Sequence, residues 1–98
     1  MKVHINAVHF SADAKLVAFI EKKLSKIDNL FDNVIRTEVS LKLENSGKIK
    51  DKIAEIKVNL PGAVLVVKEQ AKTFEFSVDR ATSSLRRQII KYKDRMKS

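Results

Sequence analysis

The last quarter of the chain, from Thr73 to Ser98, limits the possible folds most, because its apolar residues recur every three or four positions. These residues are Phe74, Val78, Ala81, Leu85, Ile89, Tyr92 and Met96. Such spacing marks one face of an α-helix, and neither Gly nor Pro interrupts it. Thr73 is expected to cap this helix, and Glu75 places a negative charge in the first turn, where the helix dipole favours it. The segment therefore predicts a long amphipathic helix whose apolar face must be covered by another layer.

Basic side chains occupy both flanks of this apolar face when successive residues are placed about 100° apart. One flank comprises Arg80, Arg87, Lys91 and Arg95, and the other comprises Arg86, Lys93 and Lys97. Asp94 is the only acidic residue after Asp79. Three interpretations of the helix remain open at this point. It could be a core-packing helix with a solvated surface, a helix lying on an anionic membrane, or a face that binds a polyanion such as nucleic acid.

The composition of the chain favours a polyanionic partner. The 98 residues are expected to form one domain, 1–98, and their 44% hydrophobic and 33% charged content is typical of a globular protein. A formal net charge of +8 is high for so small a chain. The absence of Cys excludes disulfides, thiolate metal sites and a Cys nucleophile. The sequence has neither a membrane-spanning apolar run nor a signal-peptide pattern, so a cytoplasmic protein is expected.

The residues before the final helix follow strand and helix periodicities in turn. Alternation with period two predicts strands at 2–8, 35–44, 52–60 and 63–70, and a helical stripe predicts a helix at 12–31 capped by Ser11. Turns are expected at 45–48 and at Pro61-Gly62, which suits a type II turn. In the second strand, the alternate residues from Ile35 to Leu43 are expected to face the core. The last strand is apolar on both faces from Val64 to Val67, so we expect it to be central in the sheet or covered on both sides.

Together these elements predict an α+β fold, a two-layer sandwich in the order β-α-β-β-β-α. Two amphipathic helices each need an apolar surface, and a four-stranded sheet with one apolar face offers it. We therefore expect a mostly antiparallel sheet with both helices packed on one face and the other face polar. The pairing of the first strand stays open at this stage.

Catalysis is not expected from this sequence. His4 and His9 are the only histidines, and both lie in or beside the first strand, where His9 is expected to be exposed at the strand end. The chain has no Gly-rich phosphate loop and no nucleophile motif. Its acidic residues are scattered rather than clustered as metal ligands. We therefore predict no enzymatic activity, no cofactor and no metal site.

Binding through the helices is the remaining possibility. The predicted first helix carries Lys15, Lys22 and Lys26 on one face, with Lys23 at its edge. If the two helices pack side by side, their basic faces become one continuous cationic surface, which suits phosphate groups because guanidinium binds them bidentately. Phe76 and Ile90 project away from the apolar face of the final helix. They could be covered by a neighbouring element, reflect an irregular helix start, or contact a partner.

Three segments carry a resemblance to a known family: Glu21-Lys22-Lys23-Leu24, the run from Lys68 to Lys72, and the run from Leu85 to Lys93 with Asp79 spaced before it. With the β-α-β-β-β-α order, they make the chain similar to the ribosome hibernation-promoting factor family, also known as the ribosome-associated inhibitor family. The similarity extends over essentially the whole chain. One departure is Thr73-Phe74-Glu75-Phe76, where many relatives carry an Asp-x-Tyr-like start to the final helix.

The resemblance implies a partner and a mechanism. The partner is the small ribosomal subunit, bound through 16S rRNA in the channel between head and body, so that the tRNA and mRNA sites are occluded in stationary phase or stress. The residues expected to bind RNA, from the resemblance and from the basic flanks, are Lys22, Lys23, Lys26, Arg80, Arg86, Arg87, Lys91, Lys93 and Arg95. The chain resembles the short form, which lacks the dimerisation domain of longer relatives, and a monomer is expected off the ribosome. A general double-stranded RNA-binding domain and a protein-interaction module remain the alternatives.

Overall fold

The structure is a computed structural model that describes residues 2–46 and 49–96. Its elements are β1 (Val3–Ala7), α1 (Ala14–Asp28), β2 (Arg36–Ser46), β3 (Ile49–Leu60), β4 (Ala63–Ala71) and α2 (Phe74–Met96). The predicted element order and the α+β fold class are therefore confirmed. Of the turn predicted at 45–48, Asn45 and Ser46 belong to β2, whereas Gly47 and Lys48 lie outside the described residues.

The four strands form one mixed sheet in the order β1-β2-β3-β4. Strands β2, β3 and β4 form an antiparallel meander, and the β3–β4 connection is the predicted tight turn, in which Gly62 has a φ of 77°. Strand β1 pairs with β2 in parallel, from Val3 opposite Thr37 to Ala7 opposite Leu41. This parallel pairing, which the sequence left open, follows from α1, because a helix of this length returns the chain to the starting end of the sheet.

Both helices bury their apolar stripes against the same face of the sheet. The centre of the core consists of side chains with no exposed surface, namely Ile20, Leu24, Leu41, Ile56, Leu85 and Ile89. Two aromatic pairs link the helix ends. Phe10 stacks on Phe74 at a centroid distance of 5.0 Å beside the helix N-termini, and Phe31 meets Tyr92 edge-on at 5.6 Å beside the C-termini. The helices therefore run side by side in the same direction.

The N-caps of the two helices agree only in part with the predictions. Thr73 caps α2 as expected, since its Oγ1 accepts a hydrogen bond from the Phe76 N–H at 3.1 Å. For α1 the predicted cap, Ser11, is wrong: Asp13 is the cap, and its carboxylate accepts from the Leu16 N–H at 2.8 Å. A carboxylate there also interacts favourably with the positive end of the helix dipole. The helix ends at Asp28 rather than Phe31, although Phe31 remains buried in the core.

The prediction that β4 is central or doubly covered is wrong. The strand lies at the edge of the sheet, and Val64 and Val66 on its outer face are 54% and 50% exposed. Only its inner face packs under α2, because both helices lie on one side of the sheet. The expected burial of Ile35 and Leu43 is also wrong, since both are exposed. Ile35 precedes β2, and Leu43 pairs with Lys52 beside the N-terminal ends of the helices, where the helical layer stops.

Thr37 carries a hydroxyl that the core does not satisfy. It lies between Val3 and Val58 on the inner face of the sheet and has no exposed surface. Its Oγ1 has no hydrogen-bond partner among the described residues. The other buried hydroxyls differ, because Ser77 and Thr82 donate to backbone carbonyls within α2 at 3.1 and 3.0 Å. Burial of an unpaired hydroxyl costs about 1–3 kcal/mol.

We expect Thr37→Val to raise the free energy of unfolding by about 1 kcal/mol, because it replaces the unpaired hydroxyl with a methyl group of similar size. Urea denaturation of both variants measures the change. Thr82→Val is the matched control, since the Thr82 hydroxyl has a partner, and it is not expected to stabilise the protein. A Thr37→Val variant no more stable than the wild type would contradict the assignment of an unsatisfied hydroxyl.

Candidate nucleic-acid interface

The charges of α1 are divided between its two sides. Lys23 Nζ forms an ion pair with Asp79 Oδ1 of α2 at 2.6 Å and lies 5.6 Å from the Phe19 ring centroid. This contact identifies the lysine-rich side of α1 as the side that faces α2, and Lys22 and Lys26 are exposed there. Glu21 and Asp28 lie on the opposite side, where both line a shallow depression with Val3 of β1. The acidic residues of α1 are thus turned away from α2.

One basic flank of α2 faces α1. Asp79, Arg86 and Lys93 are spaced seven residues apart, which places them on one side of the helix. Asp79 contacts Lys23, and Lys93 Nζ donates to the carbonyl oxygen of Leu30 at 2.9 Å, just after α1. Arg86 lies between these two contacts and is exposed. This flank therefore forms the second wall of a groove between the helices.

The other basic flank of α2 faces the edge of the sheet. Arg80 Nη1 donates to the carbonyl oxygen of Gln70 in β4 at 3.0 Å, which fixes the direction of this side. Arg87 and Lys91 follow on the same side and are exposed, and Arg95 is exposed near the helix end. The Arg80 contact also covers one carbonyl of the β4 edge, which would otherwise be available to another strand.

The predicted RNA-binding residues therefore fall into two groups on the helical layer. The groove group contains Lys22, Lys23, Lys26, Arg86 and Lys93, and the edge group contains Arg80, Arg87, Lys91 and Arg95. The crest of α2, which is the solvent-facing side opposite its buried stripe, separates the two groups. Lys23, Lys93 and Arg80 are tied to neighbouring elements, whereas the side chains of Lys22, Lys26, Arg86, Arg87 and Lys91 form no hydrogen bond or ion pair with other described residues. This second set is free to contact a ligand.

Two residues of this region were not assigned a role from the sequence. The sequence places Asp79 in the family resemblance but predicts no contact for it, and nothing in its spacing identifies Lys23 as its partner. Phe76 is 62% exposed although α2 begins regularly at Phe74 with a Thr73 cap. Neither a covering neighbour nor an irregular helix start therefore explains the exposed Phe76 ring, and its contact with a partner stays a prediction. Ile90, on the same crest, is 40% exposed.

The described residues contain little that points to other chemistry. In residues 2–46 and 49–96, no three His, Cys, Asp or Glu side chains are grouped as metal ligands. Neither helix, within the same ranges, is long and apolar enough to cross a bilayer. His4 is exposed on the open face of the sheet, the face that the helices do not cover, and lies opposite Glu38. His9 is exposed in the turn after β1, as predicted, with a φ of 65°.

The fold and its surface define a class of small basic α+β domain, in which a helical layer with exposed Lys and Arg covers one face of a four-stranded sheet. Residues 3–97 match the family described as sigma 54 modulation protein / S30EA ribosomal protein. The chain belongs to this family.

Several curated relatives and solved structures resemble the chain. The ribosome hibernation promoting factor of Pseudomonas putida is 26% identical over 98 residues, covering 100% of this chain and 92% of the relative. The factor of the same name from Azotobacter vinelandii is 27% identical over 95 residues, covering 97% and 85%. The N-terminal domain of Thermus thermophilus Protein Y superposes with a TM-score of 0.82 at 26% identity, covering 94% of this chain and 99% of that one. A ribosomal subunit interface protein from Coxiella burnetii shares the fold, with a TM-score of 0.85 at 23% identity over 96% and 99% of the chains.

The Lys23–Asp79 ion pair can be tested by a double-mutant cycle with Lys23→Met and Asp79→Asn. The two side chains are 28% and 49% exposed, so we expect a coupling of about 0.2–1 kcal/mol in the free energy of unfolding. Urea denaturation of the four proteins at low salt gives this coupling energy. The coupling energy should be smaller in 1 M NaCl, because salt screens the attraction between the two charges. A coupling of zero at low salt would mean that the contact does not hold α1 against α2 in solution.

Proposed function

We propose that this protein is a ribosome hibernation factor that binds the small ribosomal subunit through rRNA phosphates and blocks translation by occupying the tRNA and mRNA sites. The family match over residues 3–97 is the observation that carries this proposal. Relatives named ribosome hibernation promoting factor, which align with the chain over most of its length, support it. The protein would act in the cytoplasm during stationary phase or stress, as a monomer when off the ribosome.

The helical layer supplies the means of binding. Exposed Lys22, Lys26 and Arg86 in the groove group, and Arg87 and Lys91 in the edge group, would contact phosphates, with the arginines binding bidentately. Each phosphate contact releases counterions from the RNA, which favours binding. These groups carry no information about base identity, so specificity would come from the shape of the rRNA groove.

The inhibitory step requires no catalysis. A rigid domain bound where tRNA and mRNA pass excludes them sterically. The core shared by both helices and the sheet supplies this rigidity, and the tethered side chains add to it. Lys23 and Lys93 join α2 to α1 and to the chain just after it, and Arg80 joins α2 to β4. These contacts hold the helices that carry the free cations, so little backbone conformational entropy would be lost when the protein binds.

Reversal of two charges in the edge group tests the interface. We expect Arg87→Glu with Lys91→Glu to abolish binding to purified 30S subunits, measured by sedimentation, because two favourable phosphate contacts become repulsive. The matched control is Lys2→Glu with Lys42→Glu, which changes the net charge equally but lies on the open face of the sheet. Circular dichroism checks that both variants fold.

The control variant should still bind 30S subunits. Equal loss of binding in both variants would mean that net charge alone drives association, and unchanged binding in the helix variant would overturn the proposed interface. Competition with duplex RNA separates the proposal from a general double-stranded RNA-binding domain. A ribosome-specific factor should be displaced poorly by the duplex, whereas efficient displacement would favour the general RNA-binding domain.

Salt dependence gives a second, quantitative test. We expect the logarithm of the 30S association constant to fall linearly with the logarithm of salt concentration, and Arg87→Ala to reduce that slope by about 0.7–0.9 for the lost phosphate contact. Fluorescence anisotropy of a labelled protein across a salt series measures both slopes. Lys42→Ala, on the open face of the sheet, should leave the slope unchanged. A slope near zero for the wild type would exclude binding through phosphates.

A further inference from the structure

A cleft of about 480 Å³ opens beside the first turns of α2, outside the groove group. It is lined by Asp51, Gln70, Ala71, Lys72, Phe76 and Arg80. These residues come from the start of β3, the end of β4, the short connection that follows and the exposed side of α2. The cleft has a volume typical of sites for small organic molecules.

Phe76 supplies an exposed aromatic ring at this cleft. Its side chain is 62% exposed, yet its backbone is fixed by the hydrogen bond from its N–H to Thr73 Oγ1 and by the regular helix that follows. The core does not use this ring, because it projects away from the apolar stripe of α2. The ring therefore stands on an ordered backbone, and its exposed face is available to stack on a planar group.

Polar groups of different kinds surround the ring. Arg80 lies one helical turn after Phe76, and its guanidinium is held beside the cleft by the Gln70 carbonyl oxygen at 3.0 Å. Lys72 is exposed in the connection before α2. Asp51 contributes a carboxylate, which accepts hydrogen bonds when ionised. The cleft thus combines an aromatic face, two cations and a carboxylate beside the amide of Gln70. The ring suits a base, the cations suit a phosphate, and the carboxylate suits the donor edge of a nucleotide.

We propose that this cleft binds one unpaired nucleotide of RNA, with its base stacked on Phe76 and its phosphate beside Arg80 and Lys72. The inference rests on the proposed function for the source of the RNA, and Arg80 makes the cleft continuous with the edge group. Single-stranded bases commonly stack on aromatic side chains in this way. The Asp51 carboxylate favours guanine, whose N1–H and N2 amino group present adjacent donors, over uracil, which presents only one.

The first test measures affinity for 30S subunits. Phe76→Leu keeps an apolar side chain but removes the aromatic face, and we expect it to weaken binding about 5- to 150-fold, the range for loss of one stacked base. Phe76→Tyr should retain wild-type affinity. The slope of affinity against salt should be the same for Phe76→Leu and the wild type, because no charge is lost. Val64→Ala, an exposed apolar residue on the outer face of β4, is the control and should have no effect.

The second test needs no ribosome. A trinucleotide of guanosine is titrated into isotope-labelled protein, and a trinucleotide of uridine serves as the comparison. We expect the guanosine form to give saturable NMR shifts at the amides of Lys72, Phe76 and Arg80. These shifts should be lost in Phe76→Leu and smaller with uridine.

The two tests separate the cleft from the proposed function. If the wild type binds 30S subunits and Phe76→Leu matches it in both tests, the cleft proposal is overturned and the proposed function stands. If the wild type does not bind 30S subunits, the proposed function fails, and the trinucleotide titration alone decides whether the cleft takes a nucleotide.

Discussion

Burial of two apolar helix stripes against one face of the sheet is the interaction on which the rest of this structure depends. Ile20 and Leu24 of α1 meet Leu85 and Ile89 of α2 over Ile56 of β3 in a single core, and none of these side chains is exposed. Because a helix presents fixed side-chain directions around its axis, burial of one stripe also fixes where every other side chain points. The positions of the charged groups on both helices follow from this one packing arrangement.

The consequence for charge is a clear division of the molecule. With their stripes buried side by side, α1 turns its lysines toward α2 and its acids toward β1, and α2 places one basic flank in the groove and the other beside β4. The open sheet face instead mixes signs. There His4 pairs with Glu38 and Glu38 with Lys57 across the strands, and Arg36 forms an ion pair with Glu38 at 3.3 Å. Charges of both signs thus lie beside one another on that face, whereas the exposed cations of α2 line the two flanks of the helix.

Some of the cations on the helical layer bind neighbouring elements, and others have no partner among the described residues. Lys23 is neutralised by Asp79, and Lys93 is bound to a carbonyl oxygen, so neither is as available to a ligand as its exposed neighbours. These same contacts, with the aromatic pairs at the helix ends, hold the two helices in register. The exposed arginines and lysines therefore lie on two helices that the Lys23 and Lys93 contacts hold together. Exposed Lys and Arg side chains suit phosphate groups and by themselves carry no information about base identity.

The sequence by itself determined the elements, their order, the two-layer fold and the basic flanks, because hydrophobic periodicity and charge spacing are local properties of the chain. It misplaced the α1 cap, since Ser11 and Asp13 both suit that position and only the packed chain selects between them. The apolar composition of β4 also predicted a strand that is central in the sheet or covered on both faces, although strand order and coverage depend on long-range pairing and packing. Only the tertiary structure paired β1 with β2, brought Lys23 to Asp79, and placed Phe76 and Asp51 at one cleft. Each of these contacts joins residues whose meeting depends on how whole elements pack, which no local pattern encodes.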